Sequence, residues 1–272
     1  MRRILAIQSR LSNQTMRRGF TLVELIVVIS ALGILMAILL PALRSARGAA
    51  IDAKALSNVR QDVLELFAYA ADHDGKAPRA ALMQPDQPFP LPLFGPDAIF
   101  IHPTHPEVRL VVGYFAQANR WDLVLLLAGH PPSEAWHSPT TRLKISSLEQ
   151  LGSFVSFVSF GSWYTMSAAY LADPEYWRVG SHQDTSSWRA VRLDETAYPS
   201  AKALLFNPRK SLRLVKPTVR SVVGFADGHG QWRKLADARL PVPLTNMWAG
   251  GIYDEYGIPL FTTREGVLGR DF

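Results

Sequence analysis

Residues 25–43, "LIVVISALGILMAILLPAL", run for nineteen positions without a charge, and Ser30 is the only appreciably polar side chain among them. As a helix rising about 1.5 Å per residue, the run is roughly 28 Å long. That is close to the roughly 30 Å hydrocarbon core of a bilayer. Leu, Ile and Val each favour insertion by some tenths of a kcal/mol. Core helices of soluble domains rarely carry apolar residues on every face over such a length, so the run reads as membrane-inserting. Arg2, Arg3, Arg10, Arg17 and Arg18 all lie in the first nineteen residues, which contain no acid. A basic flank is retained on the cytoplasmic side, so the expected orientation is N-terminus in the cytoplasm and the remainder exported.

The same arginines account for most of the formal net charge of +6. Without those five, 24 of the 29 basic residues remain against 23 acidic ones. The rest of the chain therefore shows no basic stretch for phosphate backbones, and no nucleic-acid partner is expected. The absence of cysteine excludes a disulfide framework and thiolate metal sites.

Glu24 stands at the head of the apolar run. A cleaved secretory signal has an apolar core of about 7–15 residues followed by an A-x-A-like site. Here the core is longer, and the following "PALRSARGAA" contains no clean A-x-A. An anchor explains the length but gives the acid no role. A charged acid at the bilayer centre costs about 2.5–3.5 kcal/mol on insertion scales, and an intramembrane acid is by default a functional residue with a partner to be named.

The stretch "RRGFTLVELIVVISALGIL" closely resembles the N-terminal signature of type IV prepilins and type II secretion pseudopilins. The resemblance covers about residues 17–45. It implies a basic leader, residues 1–19, cut by a prepilin peptidase between Gly19 and Phe20, with Met16 as an alternative start that leaves the cut unchanged. It further implies N-methylation of Phe20 by the same enzyme and pairing of Glu24 with the N-terminal amine of a neighbouring subunit. A carboxylate beside a cation keeps its charge at tolerable cost. Pro41 resembles the proline that family helices often carry near this depth, where it would bend the helix; the other reading is a helix stop at the membrane edge.

Beyond the transmembrane half, residues 20–43, the pattern predicts an amphipathic half over residues 44–71. Ala46, Ala49, Ala53, Leu56, Val63 and Phe67 recur at helical spacings, with Arg47, Lys54, Arg60 and Glu65 between them. The helix is expected to run from about Thr21 to about Ala71 and to end at "DHDGK", with Gly75 as the stop. Residues 72–272 read as an exported α+β domain, so the expected fold is pilin-like, a long N-terminal helix on an antiparallel sheet. Eight prolines from Pro78 to Pro106 predict an irregular, proline-rich loop without central strands. "VRLVVGYF", "SFVSFVSF", "YTMSAAY", "KALLFN" and "SVVGFA" are strand candidates, and "RWDLVLLLAGH" is a short helix. Asp227-Gly228 between two strand-like runs predicts a tight hairpin. "FADGH" and "DETAYPSAKALLFN" resemble the closing sheet of many pilin-like proteins. Some relatives place a histidine where this chain has Pro217, so no role transfers there.

No G-x-S-x-G, H-E-x-x-H, G-x-G-x-x-G or P-loop pattern occurs, and neither an enzyme nor a cofactor is expected. Candidate ligand groups are His102, His105 and Glu107 in the proline-rich loop, Asp227 and His229 in the hairpin, and Asp254 and Glu255 near the end. Exposed polar side chains explain each more simply than a metal site does, and the acids of "ADHDGK" lack EF-hand spacing. Most of the seven tryptophans are expected in the core or against a sheet. The expected role is a structural subunit of a type IV pilus-like filament or a type II secretion pseudopilus. Its expected partners are prepilin peptidase/N-methyltransferase, other pilin-like subunits and the inner membrane. The alternative is an exported binding module for glycan, DNA or metal, displayed through the same signal.

Overall fold

The computed structural model describes residues 20–82, 98–101, 109–112, 114–136, 139, 164–181, 185–207, 220–242 and 259–272. The chain divides into two compact units, Met1–Ala49 and Ala50–Phe272. Helix α1, Leu22–Asp72, supplies the described part of the first unit and opens the second. It continues through Pro41, so the proline is not a helix stop. A proline removes one backbone donor, and the apolar residues on both sides sustain the helix past it. At the far end Asp74 and Gly75 adopt positive φ, and Gly75 donates its N–H to Ala70 O at 2.7 Å. This left-handed stop follows the sequence expectation, one residue later than Ala71.

The core of the second unit lies where α1 meets an antiparallel sheet of four strands: β4, Thr165–Met166; β5, Ala203–Phe206; β6, Arg220–Phe225; and β7, Gly230–Lys234, in that order. Together they form the expected α+β, pilin-like arrangement of a long N-terminal helix on an antiparallel sheet. Trp232 of β7 donates to Asp52 O at 3.4 Å, burial begins at Ala55, and Val59, Val63 and Leu66 are fully enclosed. Burying such side chains is worth about 1.5–3 kcal/mol each. The buried face agrees with the one read in the sequence only in part: Val63 is enclosed, and Leu56 and Phe67 pack against the core. Ala46, Ala49 and Ala53 are exposed, while Ala55, Asn58, Val59, Asp62, Val63, Leu66, Tyr69 and Ala70 point inward. The predicted stripe follows apolar identity alone, whereas the observed one follows the geometry of the sheet and includes two polar residues.

Gly224 and Gly230, paired across β6 and β7, allow the close approach. A Cβ at Gly224 would lie 2.6 Å from Val63 Cγ2, and one at Gly230 would lie 3.0 Å from Val59 Cγ1. The helix therefore rests on bare backbone, where any larger residue would lift it off. The hairpin forms as expected: Phe225 N–H reaches His229 O at 2.8 Å, and Gly228 N–H reaches Phe225 O at 3.0 Å.

A second antiparallel sheet comprises β1, Ala81–Leu82; β2, Ala98–Ile101; and β3, Arg109–Val112. Its central strand, β2, falls inside the segment expected to be an irregular loop. It occupies the gap between Pro96 and Pro103, where every residue retains its donor. "VRLVVGYF" is strand only to Val112 and continues from Tyr114 as 3₁₀ helix to Arg120. Helix α2, Trp121–Leu127, follows as predicted. "YTMSAAY" contributes only β4 before a 3₁₀ turn over Ala168–Tyr170. "SFVSFVSF" lies outside the described residues. Trp121, Trp136, Trp177 and Trp188 are buried, with Trp121 donating to Tyr164 O at 2.9 Å and Tyr164 in turn donating to Ala55 O of α1 at 3.0 Å.

The C-terminal residues close this core. Asp271 is buried and accepts the Ala203 N–H at 2.8 Å and the Thr263 hydroxyl. Lys202 Nζ sits 3.4 Å from Asp271 Oδ2 with both groups enclosed. Burial pushes that ammonium down to about 8, against the opposing pull of Asp271.

Candidate processing and assembly site

Phe20, the residue expected to become the methylated N-terminus, is exposed; Gly19 lies outside the described residues. Thr21 is the N-cap of α1. Its hydroxyl oxygen accepts the Glu24 N–H at 3.2 Å, while Glu24 Oε2 accepts the Thr21 N–H at 2.8 Å and the Thr21 hydroxyl at 2.7 Å. This reciprocal pair is a capping box, T-x-x-E, and it satisfies backbone donors that a helix start would otherwise leave open. The motif was readable in "TLVE", yet the sequence reading gave Glu24 only a partner on another copy. Within its own chain Glu24 already has Thr21, and both contacts use Oε2.

No residue from 20 to 49 is buried. Leu22, Val23, Ile34, Leu35, Ile38 and Leu39 are each more than three-fifths exposed, and Ser30 satisfies its hydroxyl on Ile26 O at 2.7 Å. A continuous apolar surface of this size is found on chains that meet lipid or other protein. Among the described residues, α1 is the one helix long and apolar enough to cross a membrane.

The other candidates separate. His229 Nδ1 lies 2.5 Å from Asp227 Oδ1, and the imidazole stacks on Phe225 at 4.2 Å. The pair thus holds the hairpin turn. Asp74 pairs with Lys76 at 3.3 Å on the exposed helix end. His102, His105, Glu107, Asp254 and Glu255 lie outside the described residues. Among the described residues no three His, Asp or Glu side chains gather as a metal site.

Asp62 was missed. It is fully buried on α1, and among the described residues neither carboxylate oxygen has a hydrogen-bond partner. Burial, then the Glu65 and Asp122 carboxylates, push its pKa well above the usual carboxylate range. Its signal in the sequence was a charge three positions from Val59 and one from Val63, on the stripe that a helix of 3.6 residues per turn carries inward.

Residues 14–40 match the family model described as the prokaryotic N-terminal methylation motif, the prepilin-type signal. No curated protein and no solved structure matches the chain.

Proposed function

We propose that this protein is a structural subunit of a type IV pilus-like filament or a type II secretion pseudopilus. It is made as an inner-membrane precursor with its N-terminus cytoplasmic and its C-terminal domain exported. Prepilin peptidase cuts it after Gly19 and methylates Phe20, and the apolar half of α1 then moves from lipid into a bundle of like helices. The observation carrying this reading is the methylation motif over residues 14–40 set on a helix whose first half buries nothing within its own chain. A surface that needs a non-aqueous neighbour finds lipid first and other subunits afterwards.

Glu24 fits both stages. With Oε2 engaged by Thr21, Oε1 is left to face a cation, the methylated amine of a neighbouring subunit. The carboxylate then completes its pairing only on assembly, which makes its burial tolerable there. Pro41 permits local adjustment of the helix at mid-depth.

The test is intact mass and N-terminal analysis of protein from membranes of cells that possess a prepilin peptidase. The expected product begins with N-methylated Phe20. An uncleaved N-terminus, or cleavage elsewhere, overturns the proposed processing. In the same cells Glu24→Ala inserts normally but is not incorporated into filaments; full incorporation would remove Glu24 from assembly.

A further inference from the structure

The C-terminal side of the second unit holds a cleft of about 380 Å³ lined by Arg239, Leu240, Arg264, Glu265, Gly269 and Arg270. Its three arginines are 31 or fewer positions apart in sequence, yet no two are adjacent. None of the three guanidinium groups pairs with a carboxylate among the described residues. Elsewhere in the same unit Arg178 pairs with Glu175, Arg189 with Asp173 and Glu195, and Arg192 with Asp194. Other arginines rest on carbonyls or rings, such as Arg60 on Gly230 O and Arg79 on Trp188 O, but these three gather on one cleft with no carboxylate partner among the described residues.

The cleft is also held in shape. Asp271 ties its sides together: its carbonyl accepts the Arg239 N–H at 2.8 Å, and its carboxylate takes the Thr263 hydroxyl beside Arg264 and the Ala203 N–H. Arg270 is its immediate neighbour. Between Arg264 and Gly269 the backbone folds back so tightly that a Cβ at Gly269 would lie 1.9 Å from Arg264 O, which fixes the spacing of Arg264 and Arg270. The Arg270 guanidinium lies 4.0 Å over the Tyr198 ring. Stacking uses the face of the guanidinium and leaves its N–H edge for an acceptor.

We propose that this cleft binds a phosphate monoester or a comparable dianion. Among the described lining residues, three guanidinium groups stand against the single carboxylate of Glu265, two positive charges in excess that a dianion balances. The planar fork of arginine matches phosphate oxygens in pairs. The volume exceeds that of a bare anion and suits a small organic body, with exposed Leu240 as an apolar wall. The site does not depend on how the N-terminus is processed.

The experiment follows thermal unfolding of the full chain in nonionic detergent micelles, with inorganic phosphate titrated at constant ionic strength against chloride. Phosphate is expected to raise the melting temperature, chloride to leave it unchanged, and Arg264→Ser or Arg239→Ser to weaken phosphate affinity at least tenfold. Both side chains are exposed, so these variants should fold. Glu265→Gln should tighten binding several-fold, a gain that general loss of structure cannot mimic. A second arm replaces inorganic phosphate with phosphatidic acid in the micelles. A shift in that arm alone, lost in Arg264→Ser, assigns the anion to a lipid headgroup and supports the site. No shift in either arm, or a shift that survives Arg264→Ser and Arg239→Ser, overturns the proposal.

Discussion

Residues 22–49 of α1 have the more apolar sequence and bury nothing, whereas residues 50–72 include Asp52, Lys54, Arg60, Asp62 and Glu65 and supply the core-facing side. Apolar residues belong inside only when there is an inside available to them. For the first half that place is not in its own chain, so its sequence is written for another solvent. The second half meets a sheet at close range, and Gly224 and Gly230 decide which of its residues are covered. Even a carboxyl group, Asp62, is carried inward because the helix periodicity puts it there.

Changes on the two halves should therefore behave differently. The largest effect is expected at the contact itself: Gly224→Val places branched carbon where Val63 already stands 2.6 Å from a Cβ. Overpacking of this kind should destabilise the domain by about 3 kcal/mol, read as a fall in the urea midpoint of the full chain in micelles. An unchanged midpoint would show that the helix does not rest on the sheet as described. Next comes Val59→Ala, which empties a fully enclosed position and should remove about 2 kcal/mol.

Asp62→Asn should produce a change of opposite sign whose size depends on pH. The carboxyl holds its proton in the folded state after the unfolded chain has released it near its ordinary value. Its contribution to stability is thus fully present at low pH and declines as pH rises, by at most about 1.4 kcal/mol per unit, until the raised folded value is passed. Wild type and Asp62→Asn should unfold alike near pH 4, with the variant becoming the more stable toward neutrality. Parallel pH profiles would mean that Asp62 is not the buried acid described. The smallest effect belongs to the first half: Leu32→Ala, at an exposed position, should leave domain unfolding within about 0.5 kcal/mol. The same change should weaken membrane insertion by some tenths of a kcal/mol. Equal losses for Leu32→Ala and Val59→Ala would erase the distinction between the halves.

Much of this arrangement was legible in residue order. Apolar length and flanking charge are local, so the membrane-length helix and the tight turn at Asp227-Gly228 could be read directly, as could the glycine stop. The capping box was equally local and was passed over because Glu24 was read only as an intermolecular residue. Strand limits were harder, since β2 depends on pairing with β1 and β3 and not on its proline-rich surroundings.

By itself the sequence determined the prepilin-type signal, the position of Glu24 four residues after Phe20, and the turn at Asp227-Gly228, because each depends on neighbours along the chain. Tertiary structure alone decided which face of α1 is covered, that Asp62 is enclosed with no hydrogen-bond partner among the described residues, and that Arg239, Arg264 and Arg270 share one cleft. Those outcomes depend on the closeness of backbones and on charges gathered from separate loops, and neither distance is written in the order of the residues.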